Sequence, residues 1–264
     1  MDETIKTIKN YLRMLKLFHM EKALDGELGR AAAEGRPVSL VIERLLAIEA
    51  GARLEGRIER RVKDAKLVER KLLEDFDFVF QKGVDKSQIM ELATLGFVER
   101  KQGLILAGTS GAGKSHIAKA LLLLGCRKLY RCRYTTASAM LGDLMASLCD
   151  GTIERKLKDF TRPDILLIDE VGFDRLEQES SRNASLFFKV IDARYCKVST
   201  ILTTNINFKE LGDYLGDPVI TTCLVDRMVH HSIIINIDGP SWRMHESAKL
   251  NRKLKSSPSE VDHD

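Results

Sequence analysis

The sequence predicts an α/β fold: a three-layer domain with a parallel five-stranded sheet, preceded by a small all-helical N-terminal domain. Three observations lead there. Apolar residues recur at helical spacing over the first 70 residues, short apolar runs alternate with helical stretches afterwards, and a glycine-rich loop joins the first such run to the first such helix. With 264 residues there is room for one sizeable α/β domain and a satellite, not for two full enzyme domains.

Taken in order, Ile5, Ile8, Leu12 and Leu15 mark one helix face, and Leu45, Ile48 and Ala52 mark another after the break at Gly35-Arg36-Pro37. Over 53–71 the chain is dense in charge. Arg53, Arg57, Arg60 and Arg61 fall at i, i+4, i+7 and i+8 and share one side of a helix, with Lys63 in the same stretch. Such a stripe suits a phosphate backbone, and it equally suits a solvated face paired with Glu55, Glu59 and Asp64. Residues 73–83 read as a linker. Strands are expected at 103–107, 132–136, 165–169, 199–204 and 232–237, with helices at 114–127, 137–149, 153–160 and 183–195. This alternation calls for a parallel sheet covered on both faces. The polar stretch 255–264, with Pro258, is expected to be a mobile tail. The expected organisation is a helical domain at 1–70, a linker leading into the second domain at 71–102, that domain at 103–250 and a tail at 251–264.

Composition narrows the function classes without choosing one. Forty-two Lys and Arg against 38 Asp and Glu leave a net charge of +4, compatible with a polyanionic partner but not demanding one. Cys126, Cys132, Cys149, Cys196 and Cys223 are odd in number and lack C-x-x-C spacing, which argues against disulfides and a zinc site. The first ten residues carry acids and no apolar run, and no apolar stretch approaches the roughly 18 residues of a membrane span. A reducing cytoplasm and no membrane partner are the expectation.

Gly108-Thr109-Ser110-Gly111-Ala112-Gly113-Lys114-Ser115 is a complete G-x-x-x-x-G-K-[ST] phosphate-binding loop, preceded by the run Leu104-Ile105-Leu106-Ala107 and continued by His116 into a helix. Glycines let backbone N–H groups curl around phosphates, and the helix N-terminus adds about half a positive charge. Lys114 is expected to reach the β- and γ-phosphates of ATP and Ser115 to bind Mg²⁺. A second apolar run, Ile165-Leu166-Leu167-Ile168, ends in Asp169-Glu170. Asp169 suits an Mg²⁺ held through water, and Glu170 suits a base that orients the attacking water, favouring hydrolysis over transfer. Asn205 ends a β-branched run and is either a turn residue or, beside the Asp169 strand, a contact to the γ-phosphate or lytic water.

These residues resemble the AAA+ ATPases of the DnaC/IstB-like group in the initiator clade, and most closely the IstB-like transposition helper ATPases. The likeness runs through Leu73-Glu74-Asp75-Phe76-Asp77-Phe78, Val171-Gly172-Phe173, Ser185-Leu186-Phe187-Phe188, Gly216-Asp217-Pro218-Val219, Leu224 to His231 and Ser241-Trp242-Arg243. It departs where Thr109-Ser110 replaces Pro-Pro, Ser115 replaces Thr and Trp242 replaces Tyr; the loop glycines and Lys114 are intact. The resemblance implies that Asn205 is the sensor-1 residue and that Arg227 reaches the γ-phosphate of a neighbouring subunit; read from the residues alone, Arg227 pairs with Asp226 at the surface. It also implies no C-terminal helical lid, a homo-oligomer with ATP at its interfaces, duplex DNA as a partner and a transposase of the same element as another. The DNA contacts then fall on the 53–71 stripe and on Arg127, Lys128, Arg131 and Arg133, four cations with Tyr130 and Tyr134 among them, unless that segment is an ordinary loop. Arg243 is a second arginine that either faces the nucleotide or is structural. His230 and His231, adjacent in sequence, point apart and are expected to be structural. Two other functions stay open: a DnaC-type helicase loader acting on single-stranded DNA, and a scaffold that binds ATP but scarcely hydrolyses it.

Overall fold

The computed structural model describes residues 3–173, 181–206 and 218–255, the side chains of Ser181, Pro218 and 250–255 excepted. Gly216 and Asp217 of the resemblance, and 256–264 of the expected tail, lie outside the described residues. The chain divides into two units, 1–60 and 61–264, so the break falls ten residues ahead of the one suggested by composition.

The first unit is helical: α1 (Glu3–Met14), α2 (Phe18–Glu34) and the larger part of α3 (Val38–Asp64). Gly35 ends α2 in the left-handed region at φ 62°, which a glycine adopts without strain. The core is Leu12, Leu24, Val41 and Leu45, with Ile5 packed against it. The expected faces are therefore only partly right: Leu15 is 60% exposed, and Ile8 and Ile48 are each 38% exposed. Leu15 lies beyond the end of α1, where the chain turns and helical spacing no longer fixes a direction. Glu49 is buried and accepts from the backbone N–H groups of His19 and Met20 at 2.9 and 3.1 Å, placing a carboxylate on the N-terminus of α2.

In the second unit, α4 (Lys86–Ala93) and α5 (Gly96–Glu99) precede β1 (Gly103–Gly108), α6 (Lys114–Arg127), β2 (Cys132–Thr136), α7 (Ala137–Cys149) and α8 (Ile153–Thr161). Then come β3 (Ile165–Val171), α9 (Ser181–Arg194), β4 (Ser199–Thr204), α10 (Pro218–His230), β5 (Ser232–Ile237) and α11 (Trp242–Lys255). All five expected strands form, parallel throughout, in the order β2-β3-β4-β1-β5. Helix α11 runs past 250, into the stretch read as the start of the tail.

Strand periodicity sorts the sheet's side chains into two layers. Ile105, Leu166, Ile168 and Leu202 pack with Met140, Leu144, Phe187, Val190 and Leu224 of α7, α9 and α10. Ile165 points the other way, against Gly125 of α6. This three-layer α/β arrangement leaves the C-terminal strand ends as a rim where βα loops converge, the usual place for a ligand in such sheets.

Arg194 pins the opposite end. It is 1% exposed and donates to the carbonyls of Phe160, Pro163 and Ser199 and to the Thr200 hydroxyl, joining α8, the loop before β3 and β4. Arg194→Met removes every one of these donors and strands buried carbonyls, so a loss of about 3 kcal/mol is expected, read as a lowered urea midpoint with an unchanged slope.

Candidate active site

Between β1 and α6 the loop closes on itself through three glycines. Gly108, Gly111 and Gly113 have φ of 135°, 78° and 99°, a region costly to other residues. All three also leave no room for a side chain: a Cβ on Gly108 would lie 2.1 Å from the Ile237 carbonyl oxygen, one on Gly111 2.2 Å from the Ser241 hydroxyl and one on Gly113 2.4 Å from Phe76. Lys114 Nζ donates to the Gly108 and Thr109 carbonyls at 2.8 and 2.7 Å, folded back onto its own loop. Burial holds its ammonium below the usual lysine range, opposed by Asp169 and Asp238 and helped by Arg243.

In the first turn of α6, the Ser115 hydroxyl donates to Asp169 Oδ1 at 2.7 Å, so the loop and the end of β3 meet through the two residues expected to serve a cation. Thr203 of β4 donates to the same oxygen at 2.5 Å, and its hydroxyl accepts from the Glu170 backbone N–H at 2.9 Å. The pairing of β3 with β4 shifts register between Ile168 and Val171, and Glu170 takes φ 61°. A bulge with a non-glycine residue in the left-handed region costs on the order of 1 kcal/mol and re-aims the side chain. Here it separates neighbours: Asp169 is 1% exposed, while Glu170 is exposed on the wall of a cleft.

That cleft measures about 580 Å³, and its lining includes Ser110 to His116, Glu170, Thr203, Thr204 and Asn205. The structure thus brings most of the expected phosphate-site residues together. Gly108 and Thr109 belong to the loop, and Asp169 sits beneath the wall. Thr203 was missed by sequence reasoning, although strand alternation puts it on the same side as Asn205.

More was missed in the segment read as a linker. Leu73, Gln81 and Val84 are buried, and Phe76, Phe80 and Gln81 line the cleft. Gln81 donates to the Ala112 carbonyl of the loop at 2.8 Å, and His116 bonds the Leu72 carbonyl at 2.7 Å. The linker expectation is corrected accordingly: aromatic and amide contacts dock 72–81 against the phosphate loop. Across the cleft, the Trp242 backbone N–H donates to the Gly111 carbonyl at 3.1 Å, and Trp242, Arg243 and Glu246 of α11 complete the lining. The Phe80 ring lies 5.0 Å from Trp242 and 4.6 Å from His245. Arg243 therefore faces the cleft.

Arg227 does not line the cleft. Its Nε meets Asp192 Oδ1 at 2.8 Å, not Asp226, and its guanidinium stacks 4.7 Å from the Phe188 ring centroid. It borders a small pocket with Gly103, Thr200 and Ser232, residues at the N-terminal ends of β1, β4 and β5. Strands of this length put that rim about 17 Å from the phosphate loop. The two adjacent histidines diverge: His230 bonds the Tyr195 hydroxyl and His231 the Arg100 carbonyl.

The two basic clusters are less open than their composition suggests. Arg53 is paired with Glu49 at 2.9 Å and donates to the Lys16 carbonyl at 2.8 Å, while Arg60 donates to the Gly56 carbonyl of its own helix. Arg57, Arg61 and Lys63 share α3 with them; Arg61 and Lys63 fall in the second unit. Arg131 makes a two-point contact with Asp164, Lys128 bonds the Thr94 carbonyl, and Arg133 lies over the Phe160 ring. Arg127 is exposed. Among the described residues no helix is long and apolar enough to cross a membrane.

Residues 10–250 match the family described as IstB-like ATP binding protein. A Pseudomonas aeruginosa protein named as an ATP-binding protein of insertion sequence IS21 is 36% identical over 246 residues, 93% of this chain and 92% of that one. A Geobacillus stearothermophilus protein named in the same way for IS5376 is 34% identical over 248 residues, 94% and 98% of the two chains. Among solved structures, AMPPCP-bound DnaA from Aquifex aeolicus aligns with a TM-score of 0.54 at 20% identity, over 74% of this chain and 58% of that one. The DnaC helicase loader aligns at 0.51 and 21% identity, over 65% and 98%. At such identities the structures speak for the AAA+ fold alone, whereas the family match spans nearly the whole chain, so this protein belongs to the IstB-like ATP-binding family, with its phosphate loop set in a core of AAA+ fold.

Proposed function

We propose that this protein hydrolyses ATP with Mg²⁺ in the cleft, assembles through neighbouring subunits on duplex DNA, and recruits or stimulates the transposase of its insertion sequence. The observation that carries the catalytic part is the meeting of Ser115 with Asp169 beneath the loop, with Glu170 turned into the cleft beside them. The donor set fits Mg²⁺: a hydroxyl and a carboxylate are hard oxygen ligands. Such an ion takes its remaining ligands from phosphate and water. Ser115 and, through water, Asp169 would hold the ion, whose positive charge would offset the charge that develops on the phosphates.

The chain's own residues do the rest. Gly108 to Gly113 and the α6 N-terminus wrap the phosphates, and Lys114 exchanges the Gly108 and Thr109 carbonyls for phosphate oxygens. Glu170 accepts a proton from water as its oxygen attacks the γ-phosphorus and the bond to ADP breaks; Asn205 orients that water. Phe80 and Trp242 offer ring faces to a base. Arg227, on the far rim, serves a neighbour's site, which makes the active unit an oligomer.

DNA binding rests on the cations of α3 and on Arg127, Lys128, Arg131 and Arg133, and the transposase on kinship with proteins named for insertion sequences. A phosphate-backbone binder loses affinity linearly in log salt with little sequence preference. Affinities for unrelated duplexes, measured with ATP across a salt series, are expected to fall by at least about 10-fold between 50 and 200 mM salt. Salt-independent binding would remove DNA from the account, and preference for single strands would favour a helicase loader.

A further inference from the structure

Lys119 lies one turn beyond Ser115 on the same face of α6, between two carboxylates. Its Nζ is 2.9 Å from Glu69 Oε2 and 3.9 Å from Asp169 Oδ2, and it sits 5.3 Å from the Tyr134 ring centroid. The Lys119 side chain is 15% exposed, that of Glu69 54% and that of Asp169 2%. A buried carboxylate attracts an ammonium more strongly than a solvated one, because less water screens it. The ammonium nevertheless hydrogen-bonds the exposed partner and stops short of the buried one.

Glu69 is itself anchored. Its other oxygen pairs with Lys71 at 2.7 Å, and it lies on the cleft wall. Asp169 meanwhile commits Oδ1 to the Ser115 and Thr203 hydroxyls, and among the described residues Oδ2 meets the Tyr134 hydroxyl at 3.4 Å with Lys119 beyond it. We infer that Glu69 is a positioning residue that holds Lys119 off Asp169 and so keeps that carboxylate available to the divalent cation. The inference rests on the reading of Asp169 as the metal-side carboxylate.

Without the Glu69 charge, Lys119 closes by about 1 Å on Oδ2, and a resident cation then competes with the metal; at an effective dielectric near 20 this corresponds to about a tenfold loss of apparent metal affinity. The test uses the full chain and a fluorescent, non-hydrolysable ATP analogue, reading the Mn²⁺ concentration at half-maximal binding. Glu69→Gln is expected to raise it about tenfold in the native background. In a Lys119→Met background the same change is expected to move it by less than about twofold, since the competing ammonium is gone. Lys119→Gln replaces Lys119→Met should the latter not fold. Equal shifts in both backgrounds would mean that Glu69 acts only through its own charge and would overturn the inference, as would no shift in either. Asp169→Asn separates the underlying reading: a Mn²⁺ midpoint unmoved by it overturns Asp169 as the metal-side group, whereas a midpoint that Asp169→Asn moves and Glu69→Gln does not sinks only the role of Glu69.

Discussion

Glu170→Gln is expected to slow ATP turnover by about 10²- to 10⁴-fold while leaving ATP affinity nearly unchanged, the span typical of losing a positioned general base. The substitution keeps size and polarity but removes the proton acceptor. It leaves the bulge intact, because the contact that sets it runs from the Glu170 backbone N–H to Thr203 and not through the side chain. Phosphate release and titration with a fluorescent ATP analogue separate the two effects. ATP-bound assemblies of the variant are expected to persist where those of the wild type decay. Equal turnover by variant and wild type would strip Glu170 of its role.

Arg227→Ala is expected to lower turnover by about 10³-fold, the lower end for an arginine that stabilises transition-state charge. Its stability cost is small, because the ion pair with Asp192 is partly exposed, with side-chain exposures of 31% and 49%, and such pairs contribute about 1 kcal/mol or less. On the proposed reading, a guanidinium on the rim away from its own phosphate loop serves a neighbour's cleft across an interface. The wild-type rate per subunit is accordingly expected to rise with protein concentration, and a rate independent of concentration at nanomolar protein would argue for a monomeric enzyme.

Most of the sheet was legible because its signal is local: β2, β4 and β5 have the bounds that alternating apolar runs imply, and α6 and α7 match their periodicity. The phosphate loop was legible for the same reason, with loop, strand and helix contiguous in sequence. What escaped depends on contacts between distant residues. Nothing local distinguishes the polar, aromatic stretch around Phe76 and Gln81 from a linker; its role appears once Gln81 meets Ala112, 31 positions away. The bulge at Glu170 depends on Thr203, on another strand. The arginine stripe on α3 was legible as a stripe, but the capture of Arg53 by Glu49 and the Lys16 carbonyl depends on how three helices pack.

The two variants also complement each other. A Glu170→Gln subunit lacks the base but carries Arg227, and an Arg227→Ala subunit lacks the arginine but carries Glu170. If each cleft uses its own Glu170 and a neighbour's Arg227, an equal mixture of the two nearly inactive proteins recovers turnover to about a quarter of the wild-type rate, the share of head-to-tail interfaces with both groups in place. A mixture no more active than its components would contradict an active site shared between subunits.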